Sequence, residues 1–589
     1  MIGDIPVLLD GEIANSHELV ARHGAYVAFG SARLDHRDEL ERTLGSRNSG
    51  LTDLALILHA VVQRGTGWLS QVIGDFAILV WDTSTRSGVA ASDPFAVKKL
   101  FYAARGGVLA FASRSDLLAL DERYDAQYLA ELVALCVPSP SLTVHLGVRS
   151  IPAGMVATLV RDRVTVRRYW AASDFAGDST LTLPEPEAVE TCRELLAQAV
   201  RSRLGGATDT WAQLSGGLDS SSVVAIAQWL AARGHTRDGL AGTITYVDSR
   251  GTGGDEREYS DAVLRHWPLR NETIVDAPTW WDDGYAPPRL DQPGPDLLFY
   301  PREARLSEIV RAAGGRVLLT GVGGDNLFTG NMFFFADWVA KGRILEAASE
   351  MARRAALGRV SFWELAYRNA LLPFLPVSAR TRLLRDEAQM PPWILPSTAR
   401  RYGLPARATA AAIYGGRRGN KYRDGVAASV TAIIGGLSYA AIEEALEVRH
   451  PYLYRPLVEF ALRLPPTSCV RPHQRKWILR EAMRGILPEA VRTRVGKGGP
   501  QGGLAWSLVR QKPLLEPLLH DQVLAELGVV DPIKLRASFE ALPREPDGRE
   551  KLHAAVHHTL AIEAWLQMRS GRWPASADTA VKGSTAGIN

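Results

Sequence analysis

Two textures divide the hydrophobic pattern of this chain. Up to about residue 170, short apolar or alternating runs at 6–9, 76–81, 88–91, 100–103, 108–112 and 155–160 are separated by turns bearing Gly, Asp and Arg. Runs of that length predict the strands of a β-rich domain, with helices at 16–23 and 51–64. Residues 171–186 are rich in Ser, Asp, Gly and Pro and predict a linker. From residue 187 the apolar spacing becomes helical, and a helix over 187–203 precedes a strand ending near residue 214. Further strands at 240–247, 272–275 and 316–320 alternate with helices. That alternation predicts a parallel sheet, which collects ligands at the C-terminal ends of its strands. Residues 330–490 read as mainly helical, and the small polar residues 575–589 read as a disordered tail.

At 589 residues the chain exceeds one hydrophobic core, and roughly two to four domains are expected. It is 46% hydrophobic and 22% charged, an ordinary globular balance that excludes disorder over most of its length. A net charge of +4 spread over this length gives no reason to expect nucleic acid as a partner. Cys136, Cys192 and Cys469 are far apart and form no CxxC or CxxH pair, so neither a zinc site nor a disulfide framework is predicted. The first thirty residues lack a basic-then-apolar signal, and no run of eighteen apolar residues occurs. The expectation is a cytoplasmic protein with no membrane partner.

The chemistry concentrates in Ser215-Gly216-Gly217-Leu218-Asp219-Ser220-Ser221. A strand, a glycine-rich turn and a helix in succession can hold phosphate. The glycines let backbone N–H groups close on an anion, and the helix adds its unsatisfied N-terminal donors and positive dipole end. Ser215, Ser220 and Ser221 add hydroxyls, and Asp219 can hold Mg²⁺ against phosphate oxygens. The loop is not a Walker A motif, because the GxxxxGK[ST] spacing and its lysine are absent. A lone SGG would be no more than a tight turn with a capping Asp; the full string in this context favours a nucleotide.

A second turn, Thr320-Gly321-Val322-Gly323-Gly324-Asp325, ends a strongly β-forming run. Its Asp325 would meet Asp219 across the top of the sheet, where two carboxylates with phosphate oxygens and water complete a magnesium shell. Viewed alone, Asp325 could equally be a turn cap. Downstream, Gln474-Arg475-Lys476-Trp477 is read as the start of a helix whose basic first turn calls for a nearby anion. Arg492, Arg494 and Lys497 then precede a Gly-rich loop at 498–503, a basic surrounding suited to departing pyrophosphate. Isolated surface Lys and Arg residues are usually no more than solvated charges. Asp255 and Glu256 follow the second strand and could lie over the nucleotide.

These strings together resemble the asparagine-synthetase family. The C-terminal matches are SGGLDSS, Asp255-Glu256, TGVGGD, Glu447-Val448-Arg449-His450-Pro451-Tyr452-Leu453, Leu457-Val458-Glu459-Phe460 and Arg494 to Lys497. The N-terminal ones are Asp10 to Asn15, Gly74-Asp75-Phe76-Ala77, Asp93 to Tyr102 and Ile151 to Trp170. The resemblance, over about residues 7–510, implies an α/β protein of two parts. Residues 1–170 would be a degenerate, Ntn-type, glutaminase-like α+β domain. Residues 187–574 would be an ATP-pyrophosphatase (adenine nucleotide α hydrolase-like) parallel-sheet synthetase domain with helical insertions. It further implies ATP and Mg²⁺ as cofactors. Leu214, Ser215, Gly216, Gly217, Ser220, Ser221, Gly321 and Gly324 would surround the nucleotide and its pyrophosphate. Asp219 and Asp325 would hold metal, and Lys476 and Lys497 would stabilise the phosphates.

Glutamine-using members need a cysteine after the initiator methionine, where this chain has Ile2; a mis-assigned start remains an alternative. Where asparagine synthetases carry Glu and β-lactam-forming relatives Tyr, this chain has Val322, which can neither take nor orient a proton. A peptide's α-amine, with a pKa of about 7.7–8.0, needs less help from a base. The aromatic residues of 330–425 are mostly core, and the remainder would line a cavity for a large substrate. The expectation is a lasso-peptide macrolactam synthetase. It would act on a precursor (core) peptide, alongside the leader peptidase and leader-recognition protein of that pathway. Asparagine synthetase, a β-lactam-synthetase-like ligase and a non-catalytic peptide-binding scaffold are the alternatives.

Overall fold

The computed structural model describes residues 20–45, 50–105, 108–160, 163–175, 181–204, 209–249, 255–276, 290–294, 296–358, 361–383, 390–412, 420–436, 440–443, 445–471, 474–496, 507–542 and 550–572. The runs expected at 6–9, the motif at 10–15, Lys497, the loop at 498–503 and the tail at 575–589 lie outside these residues.

The N-terminal part is built of antiparallel strands β1 (Val20–His23), β2 (Tyr26–Leu34), β3 (Gly74–Asp82), β4 (Ser87–Ser92), β5 (Phe101–Arg105), β6 (Val108–Ala112), β7 (Val148–Ser150), β8 (Met155–Val160) and β9 (Arg163–Arg168). Six of them form one sheet in the order β1-β2-β3-β4-β8-β9, and β6-β5-β7 form a second. Strand β3 is apolar from Phe76 to Trp81 because both of its faces are covered there. Phe76, Ile78 and Val80 pack with Leu54, Ile57 and Leu58 of the helix Asp53–Arg64. Leu79 and Trp81 pack with Leu100, Leu109 and Phe111 on the other side. Thr52 starts that helix by accepting the Ala55 N–H on its hydroxyl. The helix expected at 16–23 is corrected over its described end. Val20–His23 is a strand, turned back at Gly24 (φ +59°) to pair His23 with Tyr26. Cross-strand burial of Ala21 overrides local helix propensity there.

The second part centres on a five-stranded sheet: β10 (Thr210–Gln213), β11 (Gly242–Val247), β12 (Asn271–Val275), β13 (Val317–Leu319) and β14 (Glu447–Arg449). Their order is β12-β11-β10-β13-β14, every pairing being parallel. Helices Glu185–Arg201 and Leu218–Ala232 share its largest core, while Leu306 and Val310 of helix Asp296–Ala312 pack on the face carrying Trp211. The first of these helices begins inside the segment read as linker. Trp170 and Ala172 are themselves buried in the core of the second part. A third core joins the C-terminal helix Glu550–Arg569 to Tyr128 and Leu129 of the N-terminal part and to Trp393.

A buried ion cluster sits where the two parts meet. Arg33 bonds Asp75 at 2.6 Å, and Arg203 bonds Asp35 at 3.0 Å. Trp170 donates its indole N–H to Glu459 at 3.0 Å. Among the described residues no helix is long and apolar enough to cross a membrane.

Candidate functional site

The register Ala212↔Leu319 puts the ends of β10 and β13 side by side, so the two glycine-rich turns that leave them face each other. In the first turn Gly216 has φ +75°, and a Cβ there would stand 2.8 Å from the Glu256 carbonyl. Only glycine fits. The Ser215 and Ser220 hydroxyls lie 2.9 Å apart, and the Gly217 N–H donates to Ser215 Oγ at 3.3 Å. In the second turn Gly323 (φ +100°) starts the helix Gly324–Phe328. A Cβ on Gly324 would come within 2.5 Å of the Asp219 carboxyl.

Asp219 and Asp325 converge on one cation. Lys476 Nζ lies 2.7 and 2.6 Å from the two Asp219 oxygens and 2.7 Å from Asp325 Oδ1. The Asp219 and Lys476 side chains are only 11% and 10% exposed, so little water screens the contact. The helix expected from Gln474 starts later. Gln474–Arg475 is instead a short strand paired with Val470–Arg471, and Lys476 caps the helix Trp477–Ala482 from the left-handed region at φ +57°. That strained turn aims its side chain inward.

These groups line an open cavity of about 630 Å³, with Leu214, Ser215, Gly217, Ser220, Gly321, Val322 and, from β11, Ile244 and Tyr246. Arg475, Arg480 and Arg494 add positive charge to its wall. Gly216 and Gly324 are not on the cavity wall; they let neighbouring backbone and the Asp219 carboxyl close up behind it. Ser221 corrects an expectation. It is fully buried away from the cavity, because a helix turns about 100° per residue and carries it to the core side when Ser220 faces the loop.

The downstream basic cluster splits. Arg492 is buried against Glu489 and Glu481 and does not line the cavity. Arg494 reaches the wall, but is held by Glu256, by the Gly216 carbonyl at 3.3 Å and by the Tyr259 ring at 3.9 Å. Glu256 thus clamps a loop rather than lying over a ligand, and Asp255 is bonded to Arg257 near the surface. The described aromatic residues of 330–425 supply no part of this wall: Phe334, Phe335, Trp393 and Tyr422 are core, and Trp363, Tyr367 and Phe374 face solvent. Helix packing claimed the first set, which composition alone could not sort.

Sequence reasoning did not find roles for Thr320, His450 and Tyr452. The Thr320 hydroxyl and His450 Nδ1 are 2.7 Å apart, and the Val322 N–H donates to the same hydroxyl at 3.3 Å. Tyr452 donates its hydroxyl to the Asp219 carbonyl at 3.2 Å. Burial lowers the His450 pKa to about 4, opposed by the Asp75 carboxylate and aided by Arg203. In the ion cluster, burial works against ionisation of Asp75, yet Arg33 and Arg203 overcome it and hold its carboxyl low. Asp93, buried and close to the Asp75 charge, is pushed up. The only available signal was the strand register, which sets Thr320 one step past Leu319 and therefore opposite His450.

Among the described residues no group of three or more His, Cys, Asp or Glu could hold a metal by itself. The pair Asp219 and Asp325 is instead the small oxygen set that suits a cation completed by substrate phosphate and water.

The asparagine synthase family model matches residues 191–567, and a glutamine amidotransferase domain model matches 33–170. A Mycobacterium tuberculosis (strain H37Rv) protein assigned to the glutamine-hydrolysing asparagine synthetases is 30% identical over 320 residues, covering 50% of this chain and 46% of that protein. The chain thus spans about half the length of the first such relatives. Glutamine-hydrolysing asparagine synthetase 3 of Bacillus subtilis (strain 168) is 25% identical, covering 78% of this chain and 72% of the relative. Amidase chry2 of Gibberella zeae is 28% identical over 49% of this chain and 44% of its own. A Bacillus subtilis glutamine PRPP amidotransferase structure overlaps 52% of this chain and 74% of its own at a TM-score of 0.21 and 14% identity. With the synthase model spanning the parallel sheet, both glycine turns and Lys476, and the amidotransferase model spanning most of the antiparallel part, the chain belongs to the asparagine synthase family.

Proposed function

We propose that this protein is an ATP-dependent, AMP-forming carbon–nitrogen ligase that closes a macrolactam in a precursor peptide, as a lasso-peptide cyclase does. One observation carries the choice of a peptide over a free amino acid. Among the described residues lining the cavity the only carboxylates are Asp219 and Asp325, and both are engaged by Lys476. The remaining charged groups on that wall are the cations Arg475, Arg480 and Arg494. Such a wall suits a triphosphate and offers no counter-charge to the ammonium of a free amino acid. A carboxyl presented by a peptide side chain carries no such ammonium.

In this reading the donors of Ser215 to Ser220, and the N-terminus of the helix Leu218–Ala232, receive the phosphates. Lys476 neutralises the departing pyrophosphate, with Lys497 as a further cation by resemblance. Asp219 and Asp325 would hold Mg²⁺, which when bound supplies charge neutralisation to the phosphate oxygens. An Asp or Glu side-chain carboxylate displaces pyrophosphate from the α-phosphorus and becomes an acyl adenylate. The peptide's own N-terminal amine then attacks the acyl carbon, releasing AMP and a proton and leaving an isopeptide ring. Val322 stands where a base would otherwise act. An α-amine with a pKa of about 7.7–8.0 is partly neutral at pH 7, so proximity to an activated acyl group suffices. A leader peptidase and a leader-recognition protein are the partners such a pathway would require.

The second reading, an asparagine synthetase using ammonia or glutamine, is favoured by the names of the relatives and by the amidotransferase match over 33–170. The two separate in one experiment. Incubation with ATP, Mg²⁺ and synthetic peptides bearing a free N-terminus and one Asp or Glu should yield AMP and a product lighter by one water. Formation of asparagine from aspartate and ammonium or glutamine, with every peptide inert, would reverse the order of the two readings.

A further inference from the structure

One five-residue strip joins the two nucleotide loops to the N-terminal part of the protein. It leaves β14 as His450-Pro451-Tyr452-Leu453-Tyr454, and all three of its ring-bearing polar residues are essentially inaccessible, His450 at 1% and both tyrosines at 0%. At its first residue, Thr320 continues the parallel ladder by donating its N–H to the Arg449 carbonyl at 3.1 Å. That sets its hydroxyl 2.7 Å from His450 Nδ1. The same hydroxyl accepts the Val322 N–H at 3.3 Å, so one oxygen serves both the turn and the imidazole. Two bonds on one oxygen fix the path of the chain through Gly321, which packs against the Ser220 backbone. At the third residue, the Tyr452 hydroxyl reaches the Asp219 carbonyl, and its Cβ lies 3.0 Å from where a Cβ on Gly323 would be. At the last residue, Tyr454 shares a hydrogen bond with His36 Nε2 of the N-terminal part. Its ring also lies under the Arg203 guanidinium, 5.6 Å away, which is bonded to Asp35.

We propose that His450 and Tyr452 are positioning residues for the nucleotide loops, and that the strip 450–454 is the strap through which the N-terminal part sets the shape of those loops. Neither side chain lines the cavity, so each acts through the residue it holds: His450 through Thr320, Tyr452 through Asp219. The geometry requires this order of action. A shift at Tyr454 moves both anchors together, since Pro451 and the short helical turn Pro451–Leu453 leave little slack between them. Burial keeps the His450 ring neutral, and a neutral imidazole can pair with a hydroxyl through Nδ1 in either tautomer.

The inference rests on the nucleotide reading of the site, and the test separates the two. Affinity of the full chain for ATP with Mg²⁺ is measured by calorimetry for the wild type and for His450→Leu, His450→Asn, Tyr452→Phe, His36→Ala and His36→Ala combined with His450→Leu. Loss of one buried hydrogen bond to a loop predicts about tenfold weaker binding for His450→Leu and a smaller loss for Tyr452→Phe. His450→Asn, whose amide keeps both an acceptor and a donor within reach of the Nδ1 position, should recover to within about threefold of the wild type. His36→Ala should weaken binding severalfold alone and add nothing to His450→Leu, because both act along one strap. A wild type that fails to bind ATP overturns the nucleotide reading itself. Wild-type binding with His450→Leu unaffected overturns the strap. So does a His450→Asn variant as poor as Leu, which would reduce His450 to packing, or full additivity in the double variant. Melting temperatures of each variant distinguish lost affinity from lost folding, and His450→Asn remains informative if His450→Leu does not fold.

Discussion

The lysine between the two carboxylates makes the sharpest prediction. Replacing Lys476 by Met keeps the stem and removes an ammonium that touches three carboxylate oxygens at 2.6–2.7 Å. Breaking a buried ion pair by deleting one partner costs about 3–5 kcal/mol, because the other charge is left in a low-dielectric site. Asp325 is 52% exposed and the cavity mouth admits water, so the cost here should sit lower, at about 2–3 kcal/mol. In a chain of this size that is a fall of a few degrees in melting temperature. The substitution also bares two carboxylates that a divalent cation can share. Mg²⁺ at ten times its dissociation constant would then return about 1.4 kcal/mol. The wild type, whose lysine already neutralises the pair, should gain less. Scanning fluorimetry with and without MgCl₂ reads both effects without any substrate. Two results would refute the reasoning: a Lys476→Met protein as stable as the wild type, or one that is destabilised but indifferent to Mg²⁺ and Ca²⁺.

Other outcomes follow from the same geometry. Asp219→Ala should lower ATP–pyrophosphate exchange at least about 100-fold, and peptide-dependent exchange that survives would mean the loop has been misassigned. Gly324→Ala places a methyl 2.5 Å from the Asp219 carboxyl, so it should destabilise by about 1–3 kcal/mol and displace Asp219 from Lys476, seen as lost ATP affinity by calorimetry. Stability should decline on acidification from neutrality toward pH 4. Burial lowers the His450 and His558 pKa values to about 4 and that of His557 to about 3, while the unfolded chain titrates near 6.5. Between those values the unfolded state binds more protons, so stability rises with pH, and urea midpoints taken at half-unit steps should show that slope flattened in His557→Leu. A midpoint that climbs as pH falls from 6.5 would contradict the assignment. Glu256→Gln should free Arg494 from its carboxylate and loosen the Gly216 loop, raising the ATP dissociation constant severalfold while leaving the fold intact.

The parallel sheet and the two glycine turns were legible because their signals are local: a run of β-formers, a glycine string, an acidic residue at fixed spacing. Asp219, Asp325 and Lys476 could be named from such strings, and the structure brings them within one hydrogen bond of each other. What escaped was decided by register and burial. Strand β2, flanked by β1 and β3, carries Gly30, Ser31 and Arg33 and does not read as a strand until it is paired residue by residue with β3. Ser221 looks equivalent to Ser220 in the string, and one residue of helical rotation puts it in the core. Arg492 and Arg494 look alike as loop cations, yet the first belongs to Glu489 and Glu481, and only the second reaches the cavity. No property of the residue types separates these cases; the distant partners do.

The ion cluster between the two parts bears on how this chain can be divided. Arg203 and Asp35 are each only 1% exposed, although they come from opposite sides of the boundary. A truncated version beginning at the helix Glu185–Arg201 would lose both counter-ions of Arg203 together with Phe95, Val97 and Trp170, which complete its largest core, a burden of several kcal/mol on the fragment. The amidotransferase-like half would keep Arg33 between Asp35 and Asp75 but lose the second cation that those two carboxylates share. The halves are therefore expected to melt in one transition rather than two. A lineage that stopped needing the chemistry of the first half would still have reason to inherit it, as a scaffold its ligase cannot shed.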